Sequence, residues 1–118
     1  MIDETFGFSR CVDQEGELGV VIGRTAKDVL RGKAKDYIVG YTCVNDVSER
    51  YAQKEDSQWA IDKGFDTFAP IGPWIETEID PDDLKLETYL KGKLCQSART
   101  SEPTFILCIL QFVFSLNF

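Results

Sequence analysis

Histidine is absent from this chain of 118 residues. That removes the side chain most often used as a general acid or base near neutral pH, and the commonest transition-metal ligand. The four cysteines, Cys11, Cys43, Cys95 and Cys108, include no pair at Cys-x-x-Cys spacing. Neither a zinc site nor a thioredoxin-like redox motif is therefore encoded. A basic cluster is missing too: 20 acidic residues against 13 basic ones leave a net charge of −7, and the pI is near 4.5. A surface of that sign repels phosphate, so neither nucleic acid nor an anionic membrane is an expected partner. No apolar run reaches the roughly 20 residues of a membrane span. Met1 to Cys11 shows no targeting character, and there is no internal repeat or low-complexity linker. The expectation is one cytoplasmic domain with a modest core and free thiols.

Among what is present, Glu17–Ile22 (ELGVVI) is a compact apolar run rich in β-branched residues and closed by Gly23. It reads as a strand buried on at least one face. Thr25 followed by Asp28 resembles a capping box and predicts a short helix toward Lys35, weakened by Gly32. Tyr37–Asp46 (YIVGYTCVND) predicts a second strand, with Gly40 at a bulge or a close approach. Ser48–Lys63 is polar and reads as a turn plus irregular helix. Two prolines confine Phe68–Ile75 to a sheet edge or an irregular extended segment. After a turn at Pro81-Asp82-Asp83, Leu84–Leu90 alternates apolar and polar residues as a half-exposed strand. Lys91-Gly92 then predicts a tight hairpin turn into Lys93–Ser97. Thr104–Phe118 (TFILCILQFVFSLNF) holds no charge; its composition is that of a buried strand, or of an aggregation-prone segment if uncovered.

The chemistry concentrates in acids at strand ends. Glu15 and Glu17 are two residues apart, so on an extended chain both point to one face. Gly16 between them leaves open space, and Asp46 ends the neighbouring apolar strand. Acids at such spacing are commonly a solvated face. Three converging carboxylates, however, repel one another and raise their own pKa values unless a cation joins them. Oxygen-only ligands favour Mg²⁺, Mn²⁺ or Ca²⁺ over Zn²⁺ or Cu²⁺.

The stretches EGELGVVIGRTAKDV, DYIVGYTCVNDVSER, KGFDTFAPIGPWI and RTSE, in that order from about Ser9 to Glu102, resemble the fumarylacetoacetate hydrolase family. The resemblance implies an α+β, mainly β fold, a mixed β-sandwich roll present here in incomplete form. Residues 1–102 would be a partial catalytic domain and residues 103–118 a divergent apolar tail. It further implies that Glu15, Glu17 and Asp46 bind Mg²⁺ or Mn²⁺, which chelates a 2-oxo or β-diketo acid substrate. Lys63 matches the family lysine expected to hold a substrate carboxylate or a developing negative charge. Arg50, Gln53 and Thr100 match positions that contact substrate. Family activities include acylpyruvate hydrolysis, decarboxylation of oxaloacetate-like acids, isomerisation and sugar-acid dehydration. Family members commonly dimerise, so a homodimer is the implied assembly.

Three departures from the family pattern bear on activity. The upstream segment with a histidine, often paired with a glutamate, has no counterpart here. The Thr-Gly-Thr-Pro loop is also missing, and Thr104–Phe118 stands where the resemblance has stopped. The usual Ser-Ala-Arg-Asp reads Ser48-Glu49-Arg50-Tyr51, so Glu49 adds a negative charge near the cup and Tyr51 removes an acid. The leading expectation is a fragment of a metal-dependent hydrolase, lyase or isomerase with its ligands retained and turnover impaired. The alternative is a non-catalytic, degenerate paralogue that associates with an intact family member. A third reading is a small β-rich binding module whose acids are surface decoration.

Overall fold

A computed structural model describes residues 11–55 and 60–102. At its centre is an antiparallel sheet of three strands in the order β2-β3-β5: β2 is Gly16–Ile22, β3 is Ile38–Asn45 and β5 is Ile71–Glu76. The short strands β1 (Val12–Asp13) and β4 (Ser48–Glu49) pair beside it, and a hairpin of β6 (Lys85–Leu90) and β7 (Lys93–Arg99) forms a third sheet. Two short helices, α1 (Arg50–Glu55) and α2 (Ala60–Lys63), pack on each other and on β4.

Register sorts the side chains of the central sheet. Glu17 lies opposite Val44, and Val44 opposite Ile71, so these three share a face. Gly19, Val21 and Thr42 continue that face, whereas Leu18, Val20, Tyr41 and Cys43 point the other way. Gly40 is indeed a point of close approach: a Cβ there would meet the Glu76 carbonyl and Ile75 at 2.6 Å. The ladder slips by one residue beside it, since Val21 pairs with Gly40 but Ile22 with Ile38. As Pro73 within it and Pro70 before it favour, β5 pairs among the described residues with β3 alone and forms an edge there.

The helix expected from Thr25 does not form. Asp28 adopts a φ of 51°, and the helical stretch is instead a 3-10 helix over Arg31–Tyr37 with no side-chain cap. So short a segment, with Gly32 inside it, cannot repay helix nucleation. The loop is closed from its ends: Gly23 N donates to the Tyr37 carbonyl at 2.8 Å, and the Arg24 guanidinium lies 4.4 Å from the Tyr37 ring centre. The turn expected at Pro81-Asp82-Asp83 is a 3-10 helix capped by the Asp80 carboxylate. At Lys91 and Gly92 both φ values are positive, 50° and 78°, as a two-residue type I′ hairpin turn demands. The alternation read into the preceding strand is broken near its end, where the ladder slips between Thr88 and Tyr89, and Leu90 is exposed.

Among the described residues the buried apolar side chains are Tyr41, Ala52 and Pro81, while Thr42, Ser48, Glu49 and Asp62 are buried polar ones. The apolar run expected as a strand over Thr104–Phe118 lies outside the described residues.

Candidate metal centre

The β2–β3 ladder begins at the site. Gly16 pairs with Asn45, so Glu15 and Asp46 are the residues just beyond the last rung on each strand. The backbone closes that end: Asp46 N donates to the Glu15 carbonyl at 2.8 Å, and Glu15 N donates to Asn45 Oδ1 at 3.0 Å. Asn45 thus uses its side chain to hold the first glutamate. With the ends joined, Glu15, Glu17 and Asp46 each offer a carboxylate oxygen, all within 4.8 Å of one another. Alternation brings the two glutamates to one face, and pairing brings the aspartate to them.

Two cations attend the acids. Lys63, the last residue of α2, donates to Glu15 Oε2 at 3.3 Å and also to Asp46 Oδ2. Its helix stops there because Gly64 can pass close under it; a Cβ at Gly64 would lie 2.5 Å from the Ala60 carbonyl. Arg50, the first residue of α1, spreads its guanidinium over three acceptors. Nη2 donates to Glu15 Oε1, Nε to Asp13 at 2.8 Å and Nη1 to Gln53 Oε1 at 2.9 Å. Ser48 Oγ approaches Glu15 Oε2 at 3.5 Å.

The acids respond differently. Burial alone would raise Glu15, but the hydrogen bonds and charges of Arg50 and Lys63 outweigh it and hold the carboxyl below its ordinary value. Glu17 is bonded by neither cation. Although its side chain is exposed, partial desolvation first, and then the charges of Asp46 and Glu15, push it above the ordinary carboxyl value against the pull of Lys63. Lys63 is desolvated, which lowers it, yet its bonds to Asp46 and Glu15 prevail and raise it. The cluster therefore holds one acid, Glu17, that no cation among the described residues bonds and whose charge Lys63 offsets only in part.

The space beside Gly16 is not open. A Cβ there would sit 2.2 Å from Thr88 Oγ1, and Gln96 brackets the residue by accepting from Gly16 N at 2.8 Å and donating to its carbonyl at 2.9 Å. The glycine lets the β6–β7 hairpin press on the sheet from the face opposite the acids. Sequence reasoning passed over Gln96, Asn45 and Asp13. A polar residue alternating within a strand was the one local signal for Gln96, and it resembles any solvent-facing glutamine.

The expected site residues divide. Glu15, Glu17, Asp46, Lys63, Arg50 and Gln53 form one connected group. Thr100 is bonded elsewhere: its hydroxyl accepts from Leu84 N and donates to the Pro81 carbonyl, both at 2.7 Å, at the foot of the hairpin. Glu49, expected to charge the cup, is instead fully buried and caps α1, accepting from Ala52 N at 2.6 Å.

Comparison with known proteins places this arrangement in context. The family model for the fumarylacetoacetate (FAA) hydrolase C-terminal region matches residues 4–110. An uncharacterised protein of Archaeoglobus fulgidus is 46% identical over 109 residues, which is 92% of this chain and 44% of that protein. Among solved structures, 2-hydroxyhepta-2,4-diene-1,7-dioate isomerase from Mycobacterium marinum is 48% identical with a TM-score of 0.85, covering 90% of this chain and 42% of the isomerase. Fumarylacetoacetate hydrolase from the psychrophile Exiguobacterium antarcticum is 35% identical with a TM-score of 0.87, covering 97% of this chain and 42% of the hydrolase. The chain thus has the mainly β fold of these proteins in incomplete form, and spans less than half the length of each.

Proposed function

Because the chain belongs to the fumarylacetoacetate hydrolase family, we propose that it is the metal-binding part of a hydrolase, lyase or isomerase acting on 2-oxo or β-diketo acids. The observation that carries this reading is the convergence of Glu15, Glu17 and Asp46. Three carboxylates with no nitrogen or sulfur donor suit a hard divalent cation, Mg²⁺ or Mn²⁺. Glu17, bonded to neither Lys63 nor Arg50 and raised by its acidic neighbours, is the acid with most to gain from one. When bound, such an ion supplies Lewis-acid polarisation of a substrate oxygen.

The chain's own residues do the rest. Asn45 fixes the backbone of Glu15, and Arg50 fixes its carboxylate. Lys63 keeps a protonated ammonium beside the acids, where it can hold a substrate carboxylate or an oxyanion developing on it. Gln53 is held by Arg50 at the rim and offers its amide to substrate. No histidine is available to activate water or carry a proton, so turnover by these residues alone is slow. A cytoplasmic location fits the thiols of Cys11, Cys43 and Cys95, which are free; among the described residues no helix is long and apolar enough to cross a membrane.

Scanning fluorimetry tests the reading. Mg²⁺ or Mn²⁺ at millimolar concentration raises the Tm of the wild-type chain by several degrees, a ligand effect on the folded state, and Glu17→Gln abolishes the rise. An unchanged wild-type Tm would show that no ion binds. The second reading, a non-catalytic paralogue that associates with an intact relative, is favoured by the missing histidine. Co-expression with an intact family member followed by size exclusion separates the two, because association requires co-elution.

A further inference from the structure

Strand register puts the acids and an apolar groove on one face of the central sheet. Glu17 lies directly opposite Val44, and Val44 opposite Ile71. From that row the face runs on to Val21, roughly 14 Å along β2 from Glu17. There it forms a groove of about 570 Å³ whose walls include Val21, Val44, Ile71, Pro73 and Ile75, a volume typical of small-molecule sites. The β6–β7 hairpin meets Gly16 from the opposite face, so it does not fill the groove. Polarity is divided along the face. Lys63 and Arg50 stand with the acids at one end. Beyond Val44, none of the described residues that line the groove is charged. The one hydroxyl among them, on Thr42, already donates to the Trp74 carbonyl at 2.7 Å.

We propose that this groove sets the substrate specificity of the acid cluster: it selects 2-oxo acids whose remaining substituent is an apolar chain, and disfavours those that end in a second carboxylate. The inference rests on the proposed function and adds which members of that substrate class the chain takes. A 2-oxo acid held by its polar end at the acids, with its carboxylate beside Lys63, has the groove as the continuation of the same face. Each methylene removed from water there strengthens binding by up to about fourfold. The groove is open on one side, with Ile71 71% exposed, so the gain per methylene is smaller than that limit. A distal carboxylate would instead lose water against valine, isoleucine and proline, with no cation of the lining to pair with it.

Isothermal titration calorimetry on the full chain saturated with Mn²⁺ tests this. The probes are pyruvate, 2-oxohexanoate, 2-oxooctanoate and 2-oxohexanedioate. Affinity should climb along the first three, with 2-oxooctanoate at least about tenfold tighter than pyruvate. The dioate should bind several-fold more weakly than 2-oxohexanoate. Ile71→Ser, at a position too exposed to disturb a core, should cut the advantage of 2-oxooctanoate over pyruvate several-fold. Equal affinities across the series, or a preference for the dioate, overturn the groove's role and leave the metal site standing. Binding of 2-oxooctanoate that is as tight after EDTA treatment overturns it too, because the groove then acts apart from the acids. If no Mn²⁺ binds, or Mn²⁺ binds but no 2-oxo acid does, the proposed function fails and the inference falls with it.

Discussion

Asp62 and Glu49 are fully buried, and among the described residues neither Asp62 oxygen nor Glu49 Oε1 meets a donor. A buried acceptor left without a partner costs about 1–3 kcal/mol. Asp62→Ala should therefore raise the free energy of unfolding by about that amount in urea titrations. Glu49→Gln, which keeps an acceptor for Ala52 N, should stabilise, whereas Glu49→Ala should gain less because it forfeits a helix cap worth about 1 kcal/mol. In the cluster, the opposed shifts of Glu15 and Glu17 set a pH dependence. Glu17 is raised, so without an ion its contribution to stability falls as pH climbs from the ordinary carboxyl value through its raised one. Glu15 is lowered, so its contribution is complete above the ordinary value and is lost only as pH falls through the depressed one. Cation binding needs both ionised. Mn²⁺ affinity, followed by water-proton relaxation, should thus weaken as acidification passes the raised pKa of Glu17, and the midpoint should disappear in Glu17→Gln. The acids themselves were legible from the alternation of strand side chains. Asn45 was not recognised as their brace, because its role depends on which backbone amide the opposite strand presents.

At the level of elements, the hairpin and the central sheet meet through one glycine. Gly16→Ala would drive a methyl group into Thr88 Oγ1, and overpacking of this kind costs about 1–3 kcal/mol. Thr88→Ala combined with Gly16→Ala should recover part of the loss, a coupling that a double-mutant cycle in urea would measure. Local chemistry predicted the elements it controls. Lys91-Gly92 specifies its turn because both residues need positive φ, and Pro70 and Pro73 leave β5 one strand partner among the described residues. Thr25 and Asp28 misled for a related reason. A capping box starts a helix only if the residues behind it can propagate one, and here the loop is closed instead by Arg24 on Tyr37 and by Gly23 N on the Tyr37 carbonyl.

Taken whole, the chain spans less than half the length of its solved relatives, and among the described residues it brings three acids together at one end of a sheet with several exposed apolar side chains. Without a histidine, the site among the described residues holds positioned acids and two cations but lacks the side chain most often used as a general base. Losing such a group typically costs ~10²–10⁴-fold in rate. Under the proposed function, acylpyruvate or oxaloacetate turnover with Mn²⁺, measured beside an intact family member, should fall short by at least about 10²-fold. A comparable rate would reveal another base in this chain.

The sequence by itself determined the central strands β2 and β3, the tight hairpin and the pairing of Glu15 with Glu17 on one face, since each depends on neighbours a few residues away; the short strand β4 at Ser48–Glu49, in a stretch read as turn and helix, was not among them. Tertiary structure decided the remainder. It brought Asp46 to the glutamates across about thirty residues of chain, set Lys63 and Arg50 among them, turned Thr100 to the foot of the hairpin and buried Glu49 and Asp62. Those outcomes depend on register and packing between distant segments, for which a side chain carries no local signature.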